Sequence, residues 1–142
     1  MSKEERCKLA NELIEVIATN GREFMNYKER TSYKGNEGFI SHFKLKNGRI
    51  YFVDGYIQKD IYAYGYQYFR YKFSEGGTIK ALILDLAEYI RTGEATNAKN
   101  GYGGVYCRHW GYPEEDMKII QAKAIELGFS KSLFEDLSED YL

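Results

Sequence analysis

The 142-residue chain is poor in the residues that hold small secreted proteins and metal sites together. It has two cysteines, Cys7 and Cys107, and two histidines, His42 and His109. These are too few for a disulfide framework or a closed Cys/His zinc site, and isolated cysteines of this kind favour a reducing compartment. A formal net charge of −1 excludes a uniformly basic, histone-like nucleic-acid binder, although it allows a local basic patch.

Long apolar runs are also missing, and the first six residues carry acids where a signal peptide would be basic and then apolar. We therefore expect a cytoplasmic protein without a membrane partner. The composition itself is that of a globular protein, with 44% apolar, 29% charged and 16% aromatic residues. A chain of this length can bury a sizeable core without staples, so we expect one domain over residues 1–142.

Apolar residues at helical spacing predict three longer helices. Their expected extents are residues 3–19, Thr78 to Gly93 and Pro113 to Gly128. Ser2 and Glu5 form a capping box before the first helix, and Thr78 is the expected N-cap of the second. A short strand over residues 105–107 and a short helix after Ser132 are weaker expectations. Because strands lie between the first helix and the others, we predict an α+β fold with helices packed on one face of an antiparallel sheet of three to five strands.

The strongest β signal is a hairpin over residues 39–54. Two alternating runs flank Asn47-Gly48, the favoured pair for a two-residue type I′ turn. This turn sets Lys46 opposite Arg49 and His42 opposite Val53. One face then holds apolar core residues, and the other holds a basic and partly aromatic set: Ile40, His42, Lys44, Lys46, Arg49, Tyr51 and Val53. A third strand is expected from Tyr56 to about Ile61.

The segment from Tyr62 to Phe73 has an unusual alternation. If it were one strand, its even positions would place tyrosines and cations on one face: Tyr62, Tyr64, Tyr66, Tyr68, Arg70 and Lys72. Gly65 weakens this interpretation, because glycine inside a strand often marks a bulge or bend. Between residues 38 and 73 there are six cations against two anions, whereas residues 113–142 have three cations against eight anions. The charge is therefore expected to be polarised across the molecule.

Cations interleaved with aromatic residues are typical of surfaces that bind nucleotides or single-stranded nucleic acids. The glycines before Thr78 could add an anion site at a helix start, although ordinary loop punctuation gives the same pattern. Our first hypothesis is a small non-enzymatic protein that binds a phosphate-bearing ligand and needs no cofactor or metal. Its candidate ligand-binding residues are His42, Lys44, Arg49, Tyr51, Tyr64, Tyr66, Arg70, Lys72, Gly76, Gly77, Thr78, Arg108, His109 and Trp110.

Three alternatives remain open at this point. Tyrosines and long cations commonly cover a half-solvated sheet face that has no ligand. The same residues are enriched at protein interfaces, which fits an interaction or inhibitor protein such as a phage or mobile-element accessory protein, or a homodimer. An enzyme is the third hypothesis, because Cys107 and His109 would point to one side of a strand. Core packing of Cys107 explains that spacing better, and no orienting carboxylate accompanies the pair.

Overall fold

The computed structural model of the chain describes residues 1–20, 40–53, 59–64, 76–95 and 114–129, with the backbone alone for residues 76–81, 114, 116 and 117. Within these ranges the chain forms three helices and a three-stranded antiparallel sheet, which confirms the predicted α+β class. The elements, in chain order, are α1 (Lys3–Thr19), β1 (His42–Lys46), β2 (Arg49–Val53), β3 (Asp60–Tyr62), α2 (Gly76–Thr92) and α3 (Glu114–Glu126).

Helix α1 has the predicted boundaries. The Ser2 hydroxyl accepts a hydrogen bond from the Glu5 backbone N–H at 3.1 Å, which satisfies one of the free donors at the helix start. The helix buries one apolar stripe that contacts β1, α2 and α3. Leu13, Ile14 and Ile17 are each fully buried in this stripe. The helix therefore lies at the centre of the apolar core.

The hairpin has the predicted register in every pair from His42↔Val53 to Lys46↔Arg49. Asn47 and Gly48 have φ angles of 53° and 77°, as both central residues of a type I′ turn require. Strand β3 pairs with β2 so that Ile61 lies opposite Phe52 and Tyr62 opposite Tyr51. It extends one residue beyond the predicted end, and residues 54–58, where the expected strand begins, lie outside the described residues.

One face of the sheet is the core face. Phe43, Phe52 and Ile61 occupy equivalent positions on the three strands and are all buried. The Phe43 and Phe52 rings meet edge-to-face with centroids 5.2 Å apart. These side chains share one buried cluster with residues of all three helices. Alternation puts Leu45 and Ile50 on the same core face, and it places the side chains of the other strand positions on the opposite face.

Helix α2 begins earlier than the sequence predicts. It starts at Gly76, so Thr78 is the third helical residue and the prediction of Thr78 as N-cap is wrong. Threonine favours the N-cap position, but such local preferences are weak compared with the context of the whole fold. The C-terminal end is as predicted: Gly93 has a φ of 79°, and its N–H donates to the Tyr89 carbonyl at 2.8 Å.

Helix α3 ends at Glu126, and Gly128 terminates it as predicted. Gly128 has a φ of 78°, its N–H donates to the Ile125 carbonyl, and the Phe129 N–H donates to the Ala124 carbonyl, the two bonds of a Schellman motif. Phe129 then packs edge-to-face on Tyr89 with centroids 5.6 Å apart, which links the ends of α2 and α3. Pro113, the short strand expected at residues 105–107 and the helix expected after Ser132 lie outside the described residues.

Candidate tyrosine–cation face

The sheet face opposite the core carries cations and tyrosines side by side. We call Lys44, Lys46, Arg49, Tyr51 and Tyr62 the tyrosine–cation face. The three cations are exposed, and the two tyrosines are half-buried. Strand pairing sets Lys46 directly opposite Arg49, and it aligns Lys44, Tyr51 and Tyr62 across the three strands. The hairpin turn that fixes the register therefore also gathers these five residues on one surface.

The tyrosine rings form a row across the sheet. The Tyr51 and Tyr62 ring centroids are 5.5 Å apart with a 47° tilt, and the Tyr62 and Tyr64 centroids are 6.1 Å apart in an edge-to-face arrangement. These separations fall in the range that aromatic pairs prefer. The Tyr51–Tyr62 contact is a cross-strand pair of the kind that stabilises sheets.

Two cations lie over these rings. Lys46 Nζ is 6.0 Å from the Tyr51 ring centroid, and the Arg49 guanidinium carbon is 5.7 Å from the Tyr62 centroid. Both distances fit a cation–π interaction at an exposed site. The two rings hold the charged groups in position, with the charges exposed to solvent. The cations also cover part of the ring surface on which a base could otherwise stack.

One acid lies among the cations. Lys44 Nζ and Asp60 Oδ2 form a salt bridge of 2.9 Å. The hydrogen bond from Lys44 lowers the pKa of Asp60 below its ordinary value. At the hairpin tip, Lys3 from α1 donates to the Gly48 carbonyl at 3.1 Å, which adds a further cation next to the face. Among the described residues of this region, positive charge therefore exceeds negative charge.

Tyr64 links this face to helix α2. It is 37% exposed, and its hydroxyl donates to Glu88 Oε2 at 2.5 Å. Arg91 donates to both oxygens of the same carboxylate, at 3.0 and 2.6 Å. Burial and the neighbouring carboxylate raise the pKa of Tyr64, whereas Arg91 and Tyr64 lower the pKa of Glu88. The Tyr64 hydroxyl is thus engaged in a contact with α2, and its ring packs against Tyr62.

His42 lies at the more enclosed end of the sheet. Its ring is half-buried, and Nδ1 is 3.1 Å from the Ile40 carbonyl oxygen. Val53, directly opposite His42, is only 6% exposed. The face is therefore more open at the hairpin tip, where Lys46 and Arg49 lie, than at the end where His42 lies.

Comparisons with known proteins place the chain in a family. The YoqU family model matches residues 1–138. The chain belongs to the YoqU family. One member is the SPbeta prophage-derived protein YoqU of Bacillus subtilis strain 168, which is 30% identical over 124 residues, covering 87% of this chain and 81% of its own. No solved structure matches this YoqU-family chain.

Some predicted site residues of this YoqU-family protein lie outside the described residues, and others are described by their backbone alone. Those outside the described residues are Tyr66, Arg70, Lys72, Arg108, His109 and Trp110. Gly76, Gly77 and Thr78 form the first turn of α2, and only their backbone is described. The structure thus brings together Lys44, Arg49 and Tyr51 of the predicted set, places His42 at the enclosed end and Tyr64 at the edge toward α2.

Sequence reasoning missed two contributors to the candidate site. The sequence pattern predicts which surfaces carry Lys46 and Tyr62, but it does not mark either as a ligand-binding residue. The signal for Lys46 was present, because the predicted register already paired it with Arg49. Tyr62 is a different case, since its contact with Tyr51 depends on where β3 pairs with β2. No local pattern specifies that long-range register.

The described residues hold no cluster of three or more His, Cys, Asp or Glu side chains that could bind a metal ion. Cys7 is buried in α1, and burial raises the pKa of its thiol, which disfavours the reactive thiolate. Cys107 and His109 lie outside the described ranges. In the part of the chain that the structure describes, no helix combines the length and apolar character needed to cross a bilayer.

Proposed function

We propose that this YoqU-family protein is a non-enzymatic accessory protein of phage origin that binds a phosphate-bearing ligand on its tyrosine–cation face. A nucleotide and a single-stranded nucleic acid share the required chemistry. The observation that carries the proposal is that Lys44, Lys46 and Arg49 are exposed together on a single sheet face, beside two tyrosine rings. The prophage origin of the Bacillus relative supports the accessory role.

The arrangement of the cations suits phosphate groups. Arg49 can donate two parallel hydrogen bonds to one phosphate, while a lysine ammonium acts as a mobile point charge. Because Lys46 and Arg49 already rest on rings, less side-chain freedom is lost when they engage a ligand. Electrostatic attraction to phosphates does not depend on base identity, so we expect little sequence preference.

The tyrosines supply the second part of the interaction. Tyr51 and Tyr62 are half-buried, and their remaining exposed surface can contact a sugar or the edge of a base. Full stacking on an aromatic ring contributes about 1–3 kcal/mol per base. Because the cations cover part of both rings, we expect a contribution at the low end of that range and binding dominated by phosphate contacts.

The test is binding of a fluorescently labelled oligo(dT) as a function of salt. Each phosphate contact to a single strand contributes about 0.7 to the slope of log K against log salt. We expect Lys46→Ala and Arg49→Ala each to weaken binding at low salt and to flatten that slope by about 0.7. Lys8→Ala is the matched control, because Lys8 is an exposed cation on α1 that is not part of the tyrosine–cation face.

Competition with a nucleoside triphosphate separates the two ligand classes. If unlabelled nucleotide displaces the oligonucleotide at similar concentration per phosphate, a single nucleotide fills the site. If only oligonucleotides compete, the ligand is a nucleic acid strand. Absence of binding to either ligand at low salt, or equal losses in the Lys8 and Arg49 variants, would contradict the proposal.

A protein interface is the second candidate function for the same surface. Tyrosine and arginine are the residues most enriched at interface hot spots, and Arg49 lies directly over Tyr62. In this case the protein would act as a phage inhibitor or adaptor of a host protein. A purified partner complex that survives raised salt but dissociates on Tyr62→Ala would favour this function over phosphate binding.

A further inference from the structure

Lys44 differs from the other two cations of the tyrosine–cation face in its partner. Its ammonium forms a salt bridge of 2.9 Å with the Asp60 carboxylate. Among the described residues, Lys46 and Arg49 form no ion pair, and each lies over a tyrosine ring instead. A phosphate that approaches the face therefore meets two cations whose charge is uncompensated and one that a carboxylate already neutralises.

The Lys44–Asp60 salt bridge spans all three strands of the sheet. Lys44 lies on β1 and Asp60 on β3, with β2 between them. Neighbouring strands lie about 4.8 Å apart, so β1 and β3 are separated by about 10 Å. Asp60 is aligned with His42 rather than with Lys44, so the lysine side chain extends across β2 and leans toward the His42 end. The salt bridge thus separates the hairpin tip from the end where His42 lies.

We propose that Asp60 is an intramolecular competitor for Lys44, which keeps this lysine out of the ligand contact and confines phosphate binding to Lys46 and Arg49. The inference rests on the proposed function of the face, because Asp60 can compete only with an anionic ligand. A carboxylate and a phosphate both accept charge-assisted hydrogen bonds from a lysine ammonium, so one displaces the other. The hydrogen bond from Lys44 lowers the pKa of Asp60, so this competitor is ionised throughout the neutral range.

The competition gives the ligand a direction on the face. Lys46 and Arg49 are directly opposite one another, with Cβ atoms about 5 Å apart, so they can reach one phosphate or two neighbouring phosphates. Tyr51 and Tyr62 occupy the strand positions between this pair and the salt bridge. We therefore expect the phosphates at the hairpin tip and the sugar or base toward the tyrosines.

The exposure of the salt bridge determines how large the effect of Asp60 is. The Lys44 and Asp60 side chains are 46% and 30% exposed, so water screens their attraction. Exposed pairs of this kind are weak, and a strong anion can displace the carboxylate. We therefore expect Asp60 to lower the affinity by a factor of about two to five rather than to prevent binding. Its main effect is to remove one phosphate contact from the site.

Binding of labelled oligo(dT) to the full chain as a function of salt tests this role. Asp60→Asn should tighten binding at low salt by a factor of about two to five. It should also steepen the slope of log K against log salt by about 0.7, which corresponds to one further phosphate contact. Because the asparagine oxygen can still accept a hydrogen bond from Lys44, Asp60→Ala is the second variant and should give at least the same gain.

Two further variants show whether the gain comes from Lys44. Lys44→Ala, added to Asp60→Asn, should remove the gain and flatten the slope by about 0.7 relative to Asp60→Asn alone. Glu15→Gln removes one negative charge from an exposed position on α1 and should give no gain. Circular dichroism melting of every variant shows that its fold is retained.

The outcomes distinguish this inference from the proposed function. If Lys46→Ala and Arg49→Ala weaken binding but both Asp60 variants bind like the wild type, the face binds phosphate and the role assigned to Asp60 is wrong. A gain that persists after Lys44→Ala, or that Glu15→Gln reproduces, would show that Asp60 acts by general repulsion and would also overturn the inference. If neither the wild type nor the Asp60 variants bind at low salt, the proposed function fails and this inference fails with it.

Discussion

At the scale of single residues, the Asn11 side chain forms hydrogen bonds with the backbone of β1, the strand at one end of the three-strand order. Its amide nitrogen donates to the Phe43 carbonyl at 2.9 Å, and its amide oxygen accepts from the Phe43 N–H at 2.6 Å. These are the two backbone groups of Phe43 that point away from β2. The Asn11 side chain therefore occupies the place of a neighbouring strand and blocks edge pairing at this position.

We expect Asn11→Ala to lower the free energy of unfolding by about 2 kcal/mol, because it leaves two partly buried backbone groups without partners. Urea unfolding followed by far-ultraviolet circular dichroism measures this loss. Lys8→Ala, an exposed change on the same helix, should alter stability by less than about 0.5 kcal/mol. Asn11→Asp keeps the acceptor and loses the donor, so an Asp variant as stable as the wild type would contradict the pairing.

Glu88 makes the stability of the protein dependent on pH. The hydrogen bonds from Arg91 and Tyr64 hold the folded pKa of Glu88 below its ordinary value of 4.5. The pKa is lower in the folded state, so the stabilising contribution is complete above about pH 4.5 and is lost as the pH falls through the folded pKa. The side chain is 44% exposed, so we expect a contribution of only about 0.3 kcal/mol.

Comparison of the wild type with Glu88→Gln checks this dependence. The variant should be slightly less stable at pH 7, and the difference should shrink toward zero below pH 4 as the wild-type carboxylate takes up a proton. The urea unfolding midpoints of the two proteins, at pH 7 and at a pH below 4, measure this stability difference. Glu94→Gln, a substitution of an exposed acid beyond the end of α2, is the control. A stability difference between the wild type and Glu88→Gln that grows at low pH would show that folding does not lower the pKa of Glu88.

At the scale of secondary-structure elements, the C-terminal end of α2 is held by a residue from α1. Arg6 Nε donates to the Ile90 carbonyl at 2.8 Å, and Nη2 donates to the Arg91 carbonyl at 3.3 Å. These carbonyls belong to the last turn of α2, where intrahelical donors run out. The positive charge is also favourable beside the negative end of the helix dipole.

We expect Arg6→Ala to destabilise the protein by about 1.5 kcal/mol, since charge-assisted bonds to two helix carbonyls are lost. Arg6→Lys keeps the charge but cannot hold both carbonyls with one planar group, so it should recover part of the loss. Thermal and urea unfolding of the two variants give the comparison. Equal stability of Arg6→Ala and the wild type would show that water replaces the cap without cost.

The elements also show which structural features the sequence could predict. The boundaries of α1 and the hairpin register follow from short-range signals, namely Ser2 with Glu5 and the Asn47-Gly48 turn. The contacts of Asn11 with Phe43 and of Arg6 with Ile90 join residues 32 and 84 positions apart, and no local pattern specifies them. The start of α2 was missed because a strong capping preference at Thr78 did not coincide with the helix start.

The features of the candidate site also divide into those that the sequence predicts and those that depend on tertiary packing. The turn alone predicted that Lys44, Arg49 and Tyr51 share a face, because period-two alternation follows directly from the register. The rings over which the cations lie, and the partner of Tyr64 on α2, depend on how β3 and α2 pack on the hairpin. Local sequence therefore predicted which residues share the surface, and tertiary packing determined their individual contacts.

At the scale of the whole molecule, α1 is the element that the other parts of the core share. It contacts β1, α2 and α3, so its buried stripe lies between the sheet and the other two helices. Substitution at the centre of this stripe should therefore weaken all of these contacts together. Whether residues 1–142 form one domain remains a prediction from length and composition, and the cooperativity of unfolding can test it.

Leu13 is fully buried at the middle of α1. Leu13→Ala leaves a cavity in addition to the lost transfer free energy, and we expect a loss of about 3 kcal/mol in the free energy of unfolding. In a single cooperative domain, near-ultraviolet and far-ultraviolet circular dichroism must report the same urea midpoint for the wild type and must shift together in the variant. Lys8→Ala, on the exposed side of the same helix, should move neither midpoint. If the two signals separate in the Leu13 variant, part of the chain unfolds independently of α1.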